Sequence, residues 1–255
     1  MEFRAFWYYL AAMSEEAHYR FTDAVVLVPL ALLLGIWGVF YAEMRLGVNL
    51  NTWGIYPRTL KGMRGIITSP WIHGSLEHLY NNSLPLVILS AALFYFYRRI
   101  AWKTIFLGIL LTGLITWAIG RPSYHIGASG LIYVMASFIF FKGVFTRYYR
   151  LVALSLIVVF VYGSMLWYIF PVMDEISWEG HLGGFVTGLL LAAVLKIPIP
   201  KAPKYVWESE DYQEEADPFM RHFDADGNFI ENPEGTEEPQ ETFRVRYHYR
   251  RKEEK

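Results

Sequence analysis

A serine flanked by small residues stands at the head of an apolar run, in the stretch SYHIGASGLIY at 123–133. The glycines and alanine beside Ser129 leave its flanks open, so a peptide backbone can approach the hydroxyl. If a helix begins here, its first N–H groups have no partner within the helix and can face an oxygen that gains negative charge. Ser129 is therefore a candidate nucleophile. The alternative is that the small residues only let two membrane helices pack closely.

A histidine that could act as the base of this serine opens a second small-residue stretch, GHLGGFVTG at 180–188. Gly180, Gly184 and Gly188 recur every four residues and form one close-packing helix face. Such a face can press against the helix that begins near Ser129 and bring His181 to its hydroxyl. Histidine is the usual base for a serine near neutral pH. Because no acidic residue lies within the apolar stretches of these two helices, the sequence favours a Ser–His dyad. The alternatives for a lone membrane histidine are a packing, metal or proton site.

Two further side chains could stabilise an oxyanion, and a third could orient the base. His78 and Asn82 lie four residues apart on one face at the start of an apolar helix. Their N–H groups can donate to an oxyanion. Tyr133 follows Ser129 by four residues on the same face, and is a candidate to orient His181 or an ordinary core tyrosine. We interpret His73 as a structural hydrogen-bonding residue.

A zinc site is the main alternative use of the histidines. His73, His78 and His181 do not form a dense ligand pattern, and no carboxylate on a neighbouring span completes one. We therefore expect no metal ion. The chain has no cysteine, which excludes disulfides, thiolate metal sites and a cysteine nucleophile.

The elements that must position these residues are apolar runs of membrane-spanning character. The chain has 255 residues, of which 54% are hydrophobic, and a bilayer core needs about 20 apolar helical residues. A soluble helix would carry a polar stripe that the fifth run almost lacks. We predict six helices over the following runs: 24–42, 79–97, 104–119, 126–141, 151–170 and 179–195.

Basic residues in the joints predict the orientation, since short cytoplasmic loops are rich in Lys and Arg. If there are six spans, three basic clusters lie on one side: Arg98, Arg99 and Lys103; Lys142, Arg147 and Arg150; Lys196, Lys201 and Lys204. Both termini should then be cytoplasmic. The long segment at about 45–78 lies on the outer side, and its aromatic residues predict that it rests in the membrane interface.

The ends of the chain are polar. We predict a cytoplasmic N-terminal segment at 1–23, a membrane domain at 24–197, and a charged cytoplasmic tail at 198–255. The last 55 residues hold 15 of the 24 acidic residues, and this composition predicts a mostly disordered tail. The net charge of −1 sums two unlike parts and points to no particular partner.

Three motifs occur in order: His73-x4-His78-x3-Asn82, the Gly-Ala-Ser-Gly ending at 130, and His181-x2-Gly-x3-Gly. Together they resemble the rhomboid family of intramembrane serine proteases. The resemblance implies that Ser129 is the nucleophile and His181 the general base. It also implies that His78 and Asn82 line the oxyanion hole with the Ser129 N–H, that Gly127 keeps the hole open, and that Tyr133 stacks on the base. The stretch WGIYPR at 53–58 resembles the first outer loop of the family.

We therefore expect an all-helical membrane protein with a six-helix rhomboid-like bundle and a serine-type endopeptidase activity. Its partners would be transmembrane protein substrates and the lipid bilayer, with no nucleic acid and no cofactor, in a bacterial-type cell membrane. One alternative is a non-proteolytic rhomboid-like protein that binds transmembrane helices as a chaperone or degradation adaptor. A small transporter is another, but we find no internal repeat of the kind that transporters show.

Overall fold

A computed structural model describes residues 21–173, 176–198, 205–213, 217, 219–224 and 226–231. The described chain is mostly helical, and its only β pairing consists of two isolated bridges. Six long helices carry the fold: α1 (Ala24–Leu46), α2 (Leu76–Phe96), α3 (Arg98–Ile119), α4 (Ser129–Thr146), α5 (Tyr149–Tyr162) and α6 (Trp178–Val194).

Five helical segments in the described residues are long and apolar enough to cross a membrane. They are α1 to α4 and the segment Tyr149–Ile169, in which a 3-10 helix, Gly163–Ile169, continues α5. With 17 residues, α6 is shorter than these five, as its short apolar run predicted. Apolar side chains such as Phe160 are exposed on the outside, whereas polar ones such as Ser90 are buried. This distribution confirms the predicted all-helical membrane fold.

Helix α4 lies at the centre of the bundle and contacts α2, α3, α5 and α6. Its closest partner is α6, whose glycines pack against the α4 backbone. A Cβ on Gly184 would collide with the carbonyl oxygen of Gly130, and one on Gly188 would lie 2.8 Å from the Phe138 nitrogen. The glycine repeat thus brings the starts of α4 and α6 together, as the sequence predicted.

The structure corrects the interpretation of Lys142 as a loop cation. Lys142 lies within α4, which continues to Thr146 rather than ending at 141, and its side chain is buried. Its ammonium group donates hydrogen bonds to the carbonyl oxygens of Ala192 (2.9 Å) and Leu195 at the end of α6. A cation is favourable there because the last carbonyls of a helix lack partners and carry partial negative charge. Lys142 therefore joins α4 to α6.

The joint between α2 and α3 is also shorter than predicted. It consists of Tyr97 alone, so that Arg98, Arg99 and Lys103 lie in the first two turns of α3. These residues stay at the same end of the bundle as Arg147, which follows α4. The basic end of the bundle therefore lies opposite the end where α4 and α6 begin.

The segment between α1 and α2 is a folded element that contains two short helices, Leu60–Met63 and Gly65–Thr68. It is bound to the end of α3 and to the loop that follows α3. The backbones of Ile55 and His125 form an antiparallel bridge, and the Trp117 indole N–H donates to the Thr59 carbonyl at 2.9 Å. That the segment rests in the membrane interface stays a prediction.

The chain divides into two compact units, Met1–Pro200 and Lys201–Lys255. In the second unit the structure describes two short 3-10 helices, Val206–Glu208 and Met220–His222, and a turn closed by the bridge between Phe223 and Phe229. This part of the predicted disordered tail therefore has local structure. The rest of the tail and residues 1–20 lie outside the described residues.

Candidate active site

Ser129 is the first residue of α4, and its side chain is partly buried. The chain enters the helix through Gly127, whose φ of 110° is a conformation that residues with a Cβ rarely adopt. As the first residue of the helix, Ser129 has a backbone N–H without an acceptor inside α4. The glycine thus turns the chain so that the hydroxyl and the free amide stand at the same helix end.

His181 meets Ser129 from the first turn of α6. Its Nε2 lies 2.9 Å from the Ser129 Oγ, and its Nδ1 lies 3.0 Å from the carbonyl oxygen of Tyr168. Because a carbonyl only accepts, Nδ1 carries the proton, and the lone pair of Nε2 faces the serine hydroxyl. The imidazole is 8% exposed. This tautomer and distance are those that a general base needs to take a hydroxyl proton.

Tyr133 packs on one face of the His181 imidazole and fixes the plane of that ring. The rings of Tyr133 and His181 are stacked, with centroids 4.3 Å apart and an angle of 14° between their planes. The Tyr133 hydroxyl donates to the Met165 carbonyl at 2.6 Å, which holds the tyrosine to the segment that also supplies the Tyr168 carbonyl. The imidazole is therefore held by stacking on Tyr133 and by a hydrogen bond at each of its two nitrogens.

For the serine protease activity that the sequence resemblance implies, we expect Tyr133→Ala to lower the cleavage rate by about 10-fold to 100-fold, because the imidazole loses its stacking partner and can leave the reactive orientation. Tyr133→Phe keeps the ring and should lose less than about 5-fold, since only the bond to Met165 is removed. The measurement is the initial cleavage rate at saturating substrate for both variants. Equal rates for the two variants would contradict a stacking role.

His78 and Asn82 lie on the first turns of α2, beside Gly127. A Cβ on Gly127 would lie 2.6 Å from the His78 Nε2 and 3.5 Å from the Asn82 Nδ2. Asn82 is 5% exposed, and within the described residues its buried Nδ2 has no hydrogen-bond partner. A buried amide without an acceptor is costly unless a ligand supplies one. The side chains of His78 and Asn82 thus lie beside Gly127, close to the start of α4 where the Ser129 N–H has no partner within the helix.

His73 is closer to this site than the sequence indicated. It is 2% exposed, its ring packs edge-to-face on His78 with centroids 5.0 Å apart, and its Nε2 accepts the Ala128 N–H at 3.4 Å. Burial, reinforced by the neighbouring His78, lowers the pKa of His73 to about 4. The imidazole is therefore neutral at neutral pH and can accept that N–H. Its structural role agrees with our interpretation, but the structure adds that it holds the residue before Ser129.

The sequence reasoning missed a buried cluster next to the site. The sequence predicted no role for Glu179, the first residue of the sixth apolar run, whereas the structure places it in the first turn of α6 with 1% exposure. It lies near Arg121 and near His125, which is also buried. The one available signal was the position of Glu179 two residues before His181.

Comparison with known proteins agrees with this architecture. The family model described as the rhomboid domain matches residues 61–197, more than half of the chain and every predicted site residue. The chain belongs to the rhomboid family. It is thus an integral, multi-pass membrane protein whose bundle is compatible with lipid and with transmembrane substrates.

Several similar proteins are mycobacterial and are described only as uncharacterized. Uncharacterized proteins of Mycobacterium bovis and Mycobacterium tuberculosis are each 38% identical over 170 residues, which cover 61% of this chain and 69% of theirs. An uncharacterized protein of Mycobacterium leprae is 34% identical over 148 residues, 52% of this chain and 57% of its own. The rhomboid family comprises intramembrane proteases, some of which have lost activity. The activity of this member must therefore be argued from its own residues.

Proposed function

We propose that this rhomboid protein is an intramembrane serine endopeptidase that hydrolyses peptide bonds of transmembrane protein substrates by a Ser129–His181 dyad. The observation that carries the proposal is the hydrogen bond between the Ser129 Oγ and the His181 Nε2, at 2.9 Å, with the other imidazole nitrogen facing a carbonyl. An inactive relative that only binds helices has no need of this tautomer.

In this mechanism Ser129 attacks the scissile carbonyl while the His181 Nε2 takes the hydroxyl proton. The carbonyl oxygen becomes negatively charged and receives hydrogen bonds from the Ser129 amide, His78 and Asn82. Collapse of this intermediate breaks the C–N bond, and the imidazolium gives its proton to the leaving amine. An acyl-enzyme on Ser129 remains.

Hydrolysis of the acyl-enzyme requires water, which must reach the site inside the membrane domain. A cavity of about 40 Å³ lies beside Ser129, and its lining contains apolar residues together with polar ones that include Thr112, Thr116 and Ser177. This volume exceeds what one water molecule needs. Water that moves from this cavity to the acyl group would give a proton to His181 and attack the acyl carbon, and His181 would return that proton to Ser129 as it leaves.

The distribution of charge supports an orientation for this activity. Arg98 and Arg147 lie at one end of the bundle, whereas Ser129 and His181 stand at the other, where α4 and α6 begin. By the positive-inside rule the basic end is cytoplasmic. We therefore propose that both termini are cytoplasmic, that the membrane is a bacterial-type cell membrane, and that cleavage occurs near the outer ends of substrate helices.

The test uses the full chain in proteoliposomes with a model transmembrane substrate, in parallel tubes with a serine-reactive fluorophosphonate and with EDTA. We expect cleavage that the fluorophosphonate abolishes and EDTA leaves unchanged, and covalent labelling of Ser129. An intact substrate across a panel of transmembrane sequences, together with an unlabelled Ser129, would overturn the proposal. The non-proteolytic helix-binding alternative would then stand if the same substrates co-purified with the protein.

A further inference from the structure

A second histidine–serine pair lies beside the first, in the same register. The His125 Nδ1 lies 2.6 Å from the Ser177 Oγ, and these two residues are 52 positions apart, as are Ser129 and His181. His125 precedes Ser129 by four residues, and Ser177 precedes His181 by four residues, so histidine and serine exchange places between the two pairs. The second pair joins the loop before α4 to the residue that precedes α6, and the first pair joins the start of α4 to the first turn of α6.

The second pair is not arranged as a nucleophile and its base. In a catalytic triad the carboxylate and the serine face opposite nitrogens of the imidazole. Here the Glu179 Oε2 lies 3.9 Å from the same Nδ1 that faces Ser177, whereas the His125 Nε2 faces the Arg121 carbonyl at 3.2 Å. With 4% exposure, His125 also offers little access to a substrate. The contacts of His125 instead suit a structural role, in which the imidazole holds neighbouring segments together.

Glu179 binds the same loop through its other oxygen. The Glu179 Oε1 accepts the backbone N–H of Arg121 at 3.0 Å and lies 3.7 Å from the Arg121 Nε. The Arg121 Nη2 donates to the Ile176 carbonyl at 2.6 Å, just before α6. A carboxylate with 1% exposure is costly to bury unless it is paired and hydrogen-bonded. Here the Oε1 accepts the Arg121 N–H, and the Oε2 has only the longer contact with His125. The loop at 121–128 is thus fastened to α6 at two places.

The opposite side of this loop is fastened as well. The His125 N–H donates to the Ile55 carbonyl at 2.9 Å, and the Ile55 N–H donates to the His125 carbonyl at 3.0 Å. His125 therefore joins the outer segment, the loop and α6. Burial lowers the pKa of His125, with Glu179 and Arg121 as the charged groups that face it. A neutral imidazole with its proton on Nε2 donates to the Arg121 carbonyl and accepts the Ser177 O–H.

We propose that Glu179 and His125 are positioning residues of the Ser129–His181 pair: they hold the loop before α4 on the first turn of α6 and so set the distance between hydroxyl and imidazole. The inference rests on the proposed function, because it assigns these residues to the same reaction. Neither side chain touches a reacting atom. Their loss should therefore slow the chemical step without weakening the capture of substrate.

The first test compares Glu179→Ala, Glu179→Gln and a matched control, Glu43→Ala, in proteoliposomes of the full chain. Glu43 also accepts a loop N–H, that of Leu50 at 2.7 Å, but it lies in the last turns of α1, and its partner is not in the loop at 121–128. We expect Glu179→Ala to lower kcat and the fluorophosphonate labelling rate of Ser129 by about 10-fold to 100-fold, with KM within about 2-fold. Glu179→Gln keeps an oxygen for the Arg121 N–H and should recover most of the rate.

The thermal unfolding temperature of each variant distinguishes a displaced Ser129–His181 pair from a general loss of fold. Both Ala variants should unfold at lower temperature, but only Glu179→Ala should lose kcat and labelling per folded molecule. Equal kcat for Glu179→Ala and Glu43→Ala would overturn the proposal, as would a Glu179→Gln variant as impaired as Glu179→Ala. Wild-type protein that neither cleaves nor labels would instead contradict the proposed function.

The second test addresses His125 from both sides of its hydrogen bond. His125→Asn keeps an acceptor near the Nδ1 position, whereas His125→Phe removes it, and Ser177→Ala removes the donor with the smallest change in volume. We expect kcat to fall in His125→Phe and Ser177→Ala, with partial recovery in His125→Asn. If His125→Phe does not fold, Ser177→Ala decides: wild-type kcat and labelling in that variant would overturn the role of this pair.

Discussion

Ser129→Ala and His181→Ala are each expected to lower the hydrolysis of a transmembrane substrate by at least about 10³-fold, the largest effect of any substitution in this chain. Ser129→Ala removes the atom that attacks. His181→Ala removes the imidazole nitrogen that lies 2.9 Å from the Ser129 Oγ and would take the hydroxyl proton. The measurement is the initial rate of cleavage in proteoliposomes at saturating substrate, with each variant reconstituted to the same density.

The two substitutions should also be non-additive, because the residues act as one unit. The double variant is expected to retain the same residual rate as either single variant. Ser137→Ala is the matched control: Ser137 lies two turns further along α4 and donates to the Phe185 carbonyl of α6 at 2.7 Å. It should keep its activity within about 3-fold. A double variant slower by the product of the two single effects would contradict a shared reaction step.

The sequence predicted the pairing of Ser129 with His181 because the information for it is local. The glycine repeat of α6 defines a face that only a closely packed neighbour can fill, and the first turns of α4, beginning at Gly130, supply that neighbour. The long apolar runs likewise predicted the helices, since the requirement to satisfy backbone groups in lipid leaves few alternatives. The distance between the two side chains depends on the loop before α4, whose path has no such local signal.

Lys142 and Glu179 show what local patterns cannot provide. Each is a charged residue next to the predicted end of an apolar run, where a solvent-exposed position is the usual outcome. Lys142 is buried because the carbonyls at the end of α6 accept hydrogen bonds from its ammonium group. Glu179 is buried because Arg121 offers its carboxylate a backbone N–H and a guanidinium group. The Ala192 carbonyl is 50 positions from Lys142 in sequence, and the Arg121 N–H is 58 positions from Glu179. Only the packed structure shows that these charges are inside.

Gly127→Ala is expected to reduce kcat by about 10²-fold, the next largest effect, because it disturbs the space where the oxyanion would form. The added Cβ would lie 2.6 Å from the His78 Nε2, so the imidazole has to move away. The positive φ of 110° also strains any residue that carries a Cβ. The measurement is kcat together with the free energy of unfolding, since the strain should cost roughly 1–2 kcal/mol of stability as well.

Gly47→Ala separates these two causes. Gly47 has a φ of 62° at the end of α1, and a Cβ there would have no neighbour within 4 Å. This variant should lose a similar amount of stability but keep the wild-type kcat, because its strain is not transmitted to His78. A Gly127→Ala variant that loses stability as Gly47→Ala does, yet cleaves at the wild-type rate, would show that His78 and the space beside Gly127 take no part in the reaction. If kcat falls only in Gly127→Ala, the loss of rate arises from the displaced imidazole and not from backbone strain.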